Sequence, residues 1–388
     1  MRVVFNGRRN PVIMRYPPTI MTQHKQLTPF LCILVFQILC AAPGGSAFGQ
    51  GCVAVRGGGG IPIASGNALH QASYLDTGDT IYSFSYRWLH SDRHYVGDVE
   101  QPQRQAEHTQ VVNDSHFVDL SFTYVLNPRF SLGLIVPMVY SDRSSLYEHD
   151  RVHRHSSQAF GIGDIRLAGY GWLFTPAAER RGNALVGLGL KTPTGDYRAD
   201  DVFQSPTGPV RRMVDQSIQP GDGGWGFTVE AFVYHRLTDG LTAYAQGFYL
   251  FNPGDTNGVS TATSFPRRNP YEQIMSIPDQ YSARGGLVQD LGHGFSVGLG
   301  GRIDGVPVRD LLGDSNGFRR PGFSLFLEPG VYWAKEAWTA SLTVPVAVYR
   351  NRQRSVADRR LSQDTGEFVH GDAAFADFLV TASLSRTF

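Results

Sequence analysis

The stretch FADFLVTASLSRTF, residues 375–388, alternates apolar and polar side chains. Apolar residues stand at every second position, namely Phe378, Val380, Ala382 and Leu384. A period of two predicts a β-strand with one apolar and one polar face. The last residue is an aromatic, Phe388, so the strand stops on an apolar side chain. A strand packed on a soluble core would explain the alternation, but not an aromatic end without a polar tail.

The same alternation recurs from Thr80 onward. The segment TIYSFSYRW, residues 80–88, places four aromatic side chains on one face, and residues 116–125 and 130–140 follow the same pattern. Strands of about ten residues have the length that crosses a bilayer when tilted. We predict about twelve strands, at residues 80–88, 116–125, 130–140, 163–174, 183–191, 225–236, 241–251, 279–290, 295–305, 322–333, 338–349 and 376–388.

The connections between these strands alternate long and short. The long, polar ones are 89–115, 141–162, 192–224, 252–278, 306–321 and 350–375, and the short ones are 126–129, 175–182, 237–240, 291–294 and 334–337. Outer-membrane barrels have this asymmetry, with short periplasmic turns and long extracellular loops. Hydrocarbon cannot satisfy an open strand edge, so the last strand must pair with the first. The sequence therefore predicts an all-β fold, a transmembrane antiparallel up-and-down β-barrel of about twelve strands (roughly ten to fourteen) over residues 80–388.

Composition excludes two other classes. The 388 residues carry a formal net charge of +1, with no basic run interleaved with aromatics, so we expect no nucleic-acid partner. The mean hydropathy is −0.20, and a bundle of membrane helices would need several apolar stretches of about 18 residues. A β-barrel is compatible with this value because its strands are only half apolar.

The N-terminal region resembles a secretory signal peptide, which we place at residues 1–49. Basic residues precede the apolar run PFLCILVFQILCAA (29–42), and small residues follow. A single membrane anchor is the alternative, and Met14 or Met21 could be the true start. Removal of the signal would leave Cys52 without a disulfide partner and open to lipid modification. We expect residues 50–79, with glycines at 57–60, to be a flexible periplasmic or plug-like segment.

Two segments resemble the outer-membrane family named for the meta-pathway of phenol degradation. They are GIGDIRLAGYGWLF (161–174) and GNALVGLGLKTPTGDY (182–197). The motifs shared with this family are Gly-x-Gly-Asp at the start of a strand, and a glycine-rich strand that leads into Lys-x-Pro-Thr-Gly-Asp-Tyr. The resemblance implies a barrel that moves aromatic or other hydrophobic compounds, without catalytic residues. Physically, Gly187 and Gly189 would allow the close approach of a neighbouring strand or a large inward side chain, and residues 193–196 form a turn.

Charged residues on the non-lipid faces should point into the barrel, because charges facing lipid are costly. With two aromatics of the same face, the candidate lumen-lining residues are Arg87, Asp119, Asp164, Arg166, Lys191, Glu230, Tyr244, Phe248, Arg284, Arg302, Asp304 and Glu328. Opposed charges could line a selective pore, or could form ion pairs that fill a narrow barrel. Further aromatics share this face, namely Phe232, Tyr234, Phe326 and Tyr332, and could form a path for aromatic solutes or simply pack.

The loop histidines His90, His94, His149, His153 and His155 lack a complete ligand pattern, so we predict solvated side chains and no metal. GDSNG (313–317) resembles part of the outer-membrane phospholipase motif, but Gly313 replaces the catalytic base, so we predict no enzyme and no cofactor. The expected function is a passive outer-membrane channel of a Gram-negative-type bacterium for small compounds, aromatic or hydrophobic ones among them. The alternative is a structural or loop-presenting barrel without transport. The expected partners are outer-membrane lipids, the barrel-assembly machinery and a small solute, with both termini periplasmic and the oligomeric state open.

Deletion of Phe388 tests the predicted role of the C-terminal aromatic as an assembly signal. We expect normal synthesis and export but less of the folded, heat-modifiable form in outer membranes, measured by electrophoresis of unheated samples. Replacement of Phe388 by Tyr keeps an aromatic end and should restore assembly. Normal assembly of the deletion variant would contradict the prediction.

Overall fold

The computed structural model describes residues 75–177, 180–262 and 267–388. The predicted signal peptide and most of the predicted segment 50–79 lie outside these residues and stay predictions. Within the described part of the chain, helices are too short and too polar to cross a membrane.

The described residues form nineteen strands and two short helices. The strands are β1 (Thr80–Val96), β2 (Val99–Glu100), β3 (Val112–Asn127), β4 (Phe130–Ser145), β5 (His155–Ile162), β6 (Arg166–Trp172), β7 (Gly182–Lys191), β8 (Asp200–Ser205), β9 (Gly208–Met213), β10 (Gly226–Arg236), β11 (Leu241–Phe251), β12 (Thr256–Ser260), β13 (Ile274–Ser276), β14 (Gln280–Gly292), β15 (Phe295–Val306), β16 (Gly322–Lys335), β17 (Trp338–Thr343), β18 (Val346–Arg352) and β19 (Ala373–Thr387). The helices are α1 (Gln103–Ala106) and α2 (Val356–Thr365), and two 3-10 turns span Gln216–Ile218 and Pro270–Glu272.

The strands close into a twelve-stranded antiparallel barrel, which confirms the predicted fold class. Sequence neighbours pair around the ring, and the last strand, β19, pairs with β1. At this seam Phe388 donates its N–H to the carbonyl of Thr80 at 2.9 Å, and Thr80 donates its own to Phe388 at 3.1 Å. Two of the twelve wall strands are interrupted, since β5 and β6 both pair with β4, and β17 and β18 both pair with β16.

Prolines explain both interruptions. Pro137 of β4 faces the gap between β5 and β6, where Gly163 donates its N–H to the Pro137 carbonyl at 2.8 Å. Pro345 lies between β17 and β18, and Val344 beside it donates to the carbonyl of Pro329 at 3.1 Å. Proline has no N–H to give to a ladder, so the regular pairing fails at these points.

The two faces of the wall differ as the alternation predicts. Outward side chains form an exposed apolar band that includes Phe84, Leu120, Leu188 and Leu327, whereas the inward neighbours are buried. Aromatic rings cover the seam on the outside, where Tyr82 lies 5.2 Å from Phe122 and 5.4 Å from Phe388 between ring centroids. An apolar outer band of this kind is what hydrocarbon requires of a barrel wall.

All six long connections lie at one end of the barrel, and all five short turns lie at the other, as the sequence predicts. Several strands run further than predicted at the long-loop end. β1 continues to Val96 and β3 begins at Val112, although residues 89–115 were expected to be a loop. The ladder continues there through polar pairs such as His90 with Asp114, which carry no apolar alternation for a sequence pattern to detect.

Single cysteines in a Cys52→Ser background test the topology. Thr207→Cys lies in the exposed turn between β8 and β9 and should react with a membrane-impermeant maleimide on intact cells. Asp239→Cys lies in the exposed turn between β10 and β11. It should react only after lysis if this barrel follows the usual orientation of outer-membrane barrels, whose short turns face the periplasm. Labelling of Asp239→Cys on intact cells would invert the proposed orientation.

Candidate functional site: the barrel interior and its mouth

The barrel interior is the candidate functional site. Eleven of the twelve candidate residues lie on the inward face of wall strands, and Asp164 lies in the gap between β5 and β6. Their positions are Arg87 in β1, Asp119 in β3, Arg166 in β6, Lys191 in β7, Glu230 in β10, Tyr244 and Phe248 in β11, Arg284 in β14, Arg302 and Asp304 in β15, and Glu328 in β16.

Eight of these residues form a charged belt across the interior, namely Arg87, Asp119, Arg166, Glu230, Arg284, Arg302, Asp304 and Glu328. On one side of the belt, the buried Glu328 lies between two arginines, 3.5 Å from Nη1 of Arg284 and 3.3 Å from Nη1 of Arg302. Arg302 also pairs with Asp304 at 2.9 Å. Four arginines face four carboxylates, so the belt carries no net charge when all eight are ionised.

The other side of the belt combines charges with aromatic faces. Arg166 and Glu230 are both buried, and Nη1 and Oε1 are 3.7 Å apart, which is an ion pair too long for a direct hydrogen bond. The guanidinium of Arg166 lies 5.3 Å from the ring centroid of Phe248, and that of Arg87 lies 4.7 Å from Phe117. Both distances fall within cation–π range.

An apolar cluster rich in aromatic rings lies on the short-turn side of the belt. Its buried members are Ala168, Tyr170, Trp172, Leu185, Phe232 and Tyr234. Tyr244 packs against this cluster, while Phe326 and Phe117 belong to a second apolar cluster with Leu89 and Leu379. The aromatic side chains of these two clusters are therefore packed against other apolar side chains.

The glycines of the family-like segment make room for this packing, as the sequence predicts. A Cβ on Gly187 would lie 2.6 Å from the ring of Tyr170, and one on Gly189 would lie 2.4 Å from the hydroxyl oxygen of Thr228. Real Cβ atoms do not approach so closely. Gly187 thus accommodates a large inward side chain, and Gly189 accommodates the neighbouring strand.

The motifs of the two family-like segments meet at a site that we call the glycine junction. It is formed by Gly163, Gly195, Gly221 and the side chains of Asp164, Lys191 and Asp222. A Cβ on Gly195 would lie 2.7 Å from the carbonyl carbon of Gly163 and 2.8 Å from Cα of Gly221. Lys191 pairs closely with Asp222 and lies 3.6 Å from Asp164.

The carboxylate of Asp164 completes the junction by accepting backbone N–H groups. Both contacts are 3.0 Å long, one from Gly195 and one from Asp222. The sequence did not lead us to predict the third segment of the junction, GDGG at residues 221–224, although its glycines are a recognisable pattern. The junction fixes both ends of the loop between β7 and β10 to the break in the wall.

The loop between β7 and β10 covers part of the mouth. It contains the hairpin β8–β9, and its segment 214–219 is buried except for the half-buried Gln216. Asp215 in this segment accepts from both terminal nitrogens of Arg320 at 2.8 Å and from Arg267 at 3.1 Å, and it lies 3.6 Å from Arg143. We name these four residues the mouth clasp.

The mouth clasp joins three separate parts of the barrel rim. Arg143 belongs to the end of β4, Arg267 to the loop before β13, and Arg320 to the loop before β16. Burial alone would raise the pKa of Asp215, but the charges of Arg143 and Arg320 outweigh it and hold that pKa well below its usual range. Sequence reasoning missed these residues, because ion pairs between distant loops leave no local pattern.

The serine of the phospholipase-like stretch has a structural role in the same region. Ser315 donates its hydroxyl to Asp310 at 3.3 Å and accepts the N–H of Asp310 at 2.8 Å. The neighbouring Asn316 donates to Asp255 at 2.9 Å. Asp310 in turn pairs with the fully buried Arg319 at 2.6 Å. Ser315 therefore stabilises a loop through Asp310.

Comparison with solved structures supports the fold. An outer-membrane channel from Pseudomonas putida F1 matches with a TM-score of 0.52 and 13% identity over 81% of this chain and 97% of the channel. A Pseudomonas aeruginosa FadL homologue (TM-score 0.41, 9% identity, 88% and 99% coverage) and the P. putida toluene transporter TodX (0.40, 10%, 88% and 99%) match less well. No family model and no curated protein sequence matches the chain. The described residues thus have the porin-like barrel fold of outer-membrane channels.

Replacement of Asp215 by Asn should loosen the mouth, because three arginines would keep their charges without the central carboxylate. Breaking a buried ion pair costs on the order of 3 kcal/mol. We expect faster tryptic cleavage at the exposed Arg211 and Arg212, which lie in the same loop. The measurement is the cleavage rate of the folded protein in detergent at neutral pH.

Asp200→Asn is the matched control, since Asp200 pairs with the exposed Arg211 in the same loop. Exposed pairs contribute less than about 1 kcal/mol, so this variant should be cleaved at nearly the wild-type rate. Because the pKa of Asp215 is lowered by folding, its stabilisation should persist above about pH 4 and fade only below it. Equal cleavage of Asp215→Asn and wild type would contradict the clasp.

Proposed function

We propose that the chain is an outer-membrane channel through which small, weakly polar compounds, including aromatic ones, diffuse passively. The observation that carries this proposal is the inner wall, where a charge-balanced belt lies next to aromatic faces. A neutral solute of this kind meets several weak partners, namely ring faces and hydrogen-bonding groups. Conduction requires binding that is favourable but weak at several sites.

The charge balance of the belt favours neutral solutes over ions. A belt with four arginines and four carboxylates offers no net attraction to either sign of ion. The side chains are also densely packed, as the burial of Glu230, Glu328 and Phe232 shows. Passage would therefore require rearrangement of inward side chains and of the mouth loop, so we expect an ion conductance that is small but measurable.

We place the protein in the outer membrane, with the short turns and both termini on the periplasmic side. The apolar outer band and the fold of outer-membrane channels support this location. The C-terminal Phe388 completes the seam next to Tyr82 and is the proposed contact of the assembly machinery. Lipids would contact the outer band, and the belt residues would line the solute path.

One observation favours the alternative, a structural or loop-presenting barrel without transport. Inward side chains such as Arg87, Glu230 and Glu328 are buried, and Asp215 of segment 214–219 pairs with Arg267 and Arg320 of the rim. Ion pairs and aromatics that fill a narrow barrel would serve stability alone. We propose no catalytic role, because the hydroxyl of Ser315 is engaged with Asp310. Conductance distinguishes the channel from the alternative.

Charge replacement in the belt tests the channel. Arg166→Gln with Arg302→Gln leaves an excess of carboxylates and should make the pore cation-selective. Glu230→Gln with Glu328→Gln leaves an excess of arginines and should make it anion-selective. The measurement is the sign of the reversal potential in a salt gradient across a planar bilayer.

Arg166→Gln with Glu230→Gln is the matched control, because it removes one charge of each sign and keeps the belt neutral. Its reversal potential should stay at the wild-type value. Heat-modifiability of each variant checks that the barrel has folded. A folded wild-type barrel without conductance, or the same reversal potential in both charged variants, would favour the structural barrel.

A further inference from the structure

The loop between β4 and β5 gathers three side chains of the kind that bind transition metals. It carries the sequence HDRVHRH at residues 149–155. Oδ2 of Asp150 lies 3.5 Å from Nδ1 of His153 and 3.3 Å from Nε2 of His155. The three possible ligand atoms all lie within 4.8 Å of one another. From sequence alone these histidines were expected to be solvated, but the turn brings them to one carboxylate oxygen.

The spacing fits a metal ion better than an optimised ion pair. Zinc bonds to imidazole nitrogen and carboxylate oxygen are about 2.0–2.2 Å long, so two ligands of a tetrahedral ion stand about 3.3–3.5 Å apart. A charge-assisted hydrogen bond between the same groups would be about 2.7–2.9 Å long. The 3.3 Å contact is a long hydrogen bond between His155 and Asp150, and both observed separations also match those of neighbouring ligands around one ion.

The carboxylate of Asp150 is oriented before any ion binds. Its Oδ1 accepts the backbone N–H groups of Val152 and His153, both at 2.8 Å, which directs Oδ2 toward the imidazoles. These two hydrogen bonds hold the pKa of Asp150 well below its usual range. The tight turn is completed by Arg151, which adopts the left-handed backbone conformation at φ 65°.

The surroundings of the three side chains leave them available. His155 is the first residue of β5 and pairs with Ser145 in the barrel wall, so one ligand has rigid support. The guanidinium of Arg154 is directed to other partners, the carbonyls of Ser144, His108 and Gln110. An arginine that could compete for Asp150 is thus held elsewhere.

A buried donor next to His155 is a second, independent observation. His149 is fully buried, and its ring centroid lies 5.3 Å from that of His155. Its Nδ1 accepts the N–H of Gln204 at 3.2 Å, so Nε2 must carry the proton of the neutral ring. That Nε2 is buried and has no hydrogen-bond partner in the described structure. An N–H group of this kind suits a water molecule held by a metal.

We propose that Asp150, His153 and His155 bind a divalent transition ion of the zinc type, with a fourth position left to water. Two imidazoles and one carboxylate are ligands that suit zinc and not calcium or magnesium. The site lies at the long-loop end of the barrel. His149 connects it to the hairpin β8–β9 through Gln204 and through Phe203, whose ring lies 4.9 Å away. A bound ion would therefore stiffen the loop that carries the mouth clasp.

The test is a zinc titration of the folded protein in detergent, without a histidine tag, in competition with a fluorescent indicator. We expect one ion per chain in the wild type, and no competition from a large excess of Ca²⁺ or Mg²⁺. His153→Ala and Asp150→Asn should each weaken binding by about tenfold or more, because each removes a ligand. His108→Ala is the matched control, since His108 is an exposed histidine of the neighbouring loop, and its affinity should equal the wild type.

Cobalt provides a second readout, because a tetrahedral site gives intense visible absorption that octahedral cobalt in water does not. The wild type and His108→Ala should show this absorption, and His153→Ala should lose it. An absence of zinc binding in the wild type would overturn the proposal. Equal binding in His153→Ala, or equal competition by calcium, would also overturn it, because either result indicates nonspecific surface binding.

Discussion

The structure depends on the pairing of its first and last wall strands. In hydrocarbon each unpaired backbone N–H or C=O costs several kcal/mol, so a sheet that spans a membrane must have no edge. Here β1 and β19 close the ring in register from Ile81 with Thr387 to Leu89 with Leu379. The reciprocal hydrogen bonds of Thr80 and Phe388 complete the seam.

Closure also decides how polar residues are distributed. In a closed wall the alternating side chains face either lipid or the interior, so the charges that lipid excludes must gather inside. Buried charges there are strongly destabilising unless they are paired, and Glu328 is paired with both Arg284 and Arg302. The same belt that stabilises the interior also gives it balanced charge, and the proposed preference for neutral solutes rests on that balance.

Departures from regular pairing are concentrated where the wall meets its loops. Pro137 interrupts the ladder, and the glycine junction then brings Gly163, Gly195 and Gly221 into contact and fixes the base of the loop between β7 and β10. Asp215 fixes the far part of that loop to three arginines. His149 joins it to the loop before β5. The mouth is therefore an ordered assembly of loops, held mainly by buried charges.

The sequence by itself determined the architecture. Period-two alternation, loop lengths and the terminal aromatic are local features, and they predicted all twelve wall strands. Gly187 and Gly189 were likewise interpreted correctly, because a missing side chain implies a close neighbour. Strand ends were less predictable, since the ladder beyond Trp88 continues through polar pairs.

Only the tertiary structure decided which charges meet. The partners in the mouth clasp, Asp215 and Arg320, are 105 residues apart, and their pairing depends on how loops fold over a closed ring. The convergence of Asp150, His153 and His155 depends on one turn whose backbone bonds orient a carboxylate. Sequence patterns record the periodicity of a wall because hydrocarbon imposes it on every strand. They do not record contacts between loops, because those depend on distances that closure alone sets.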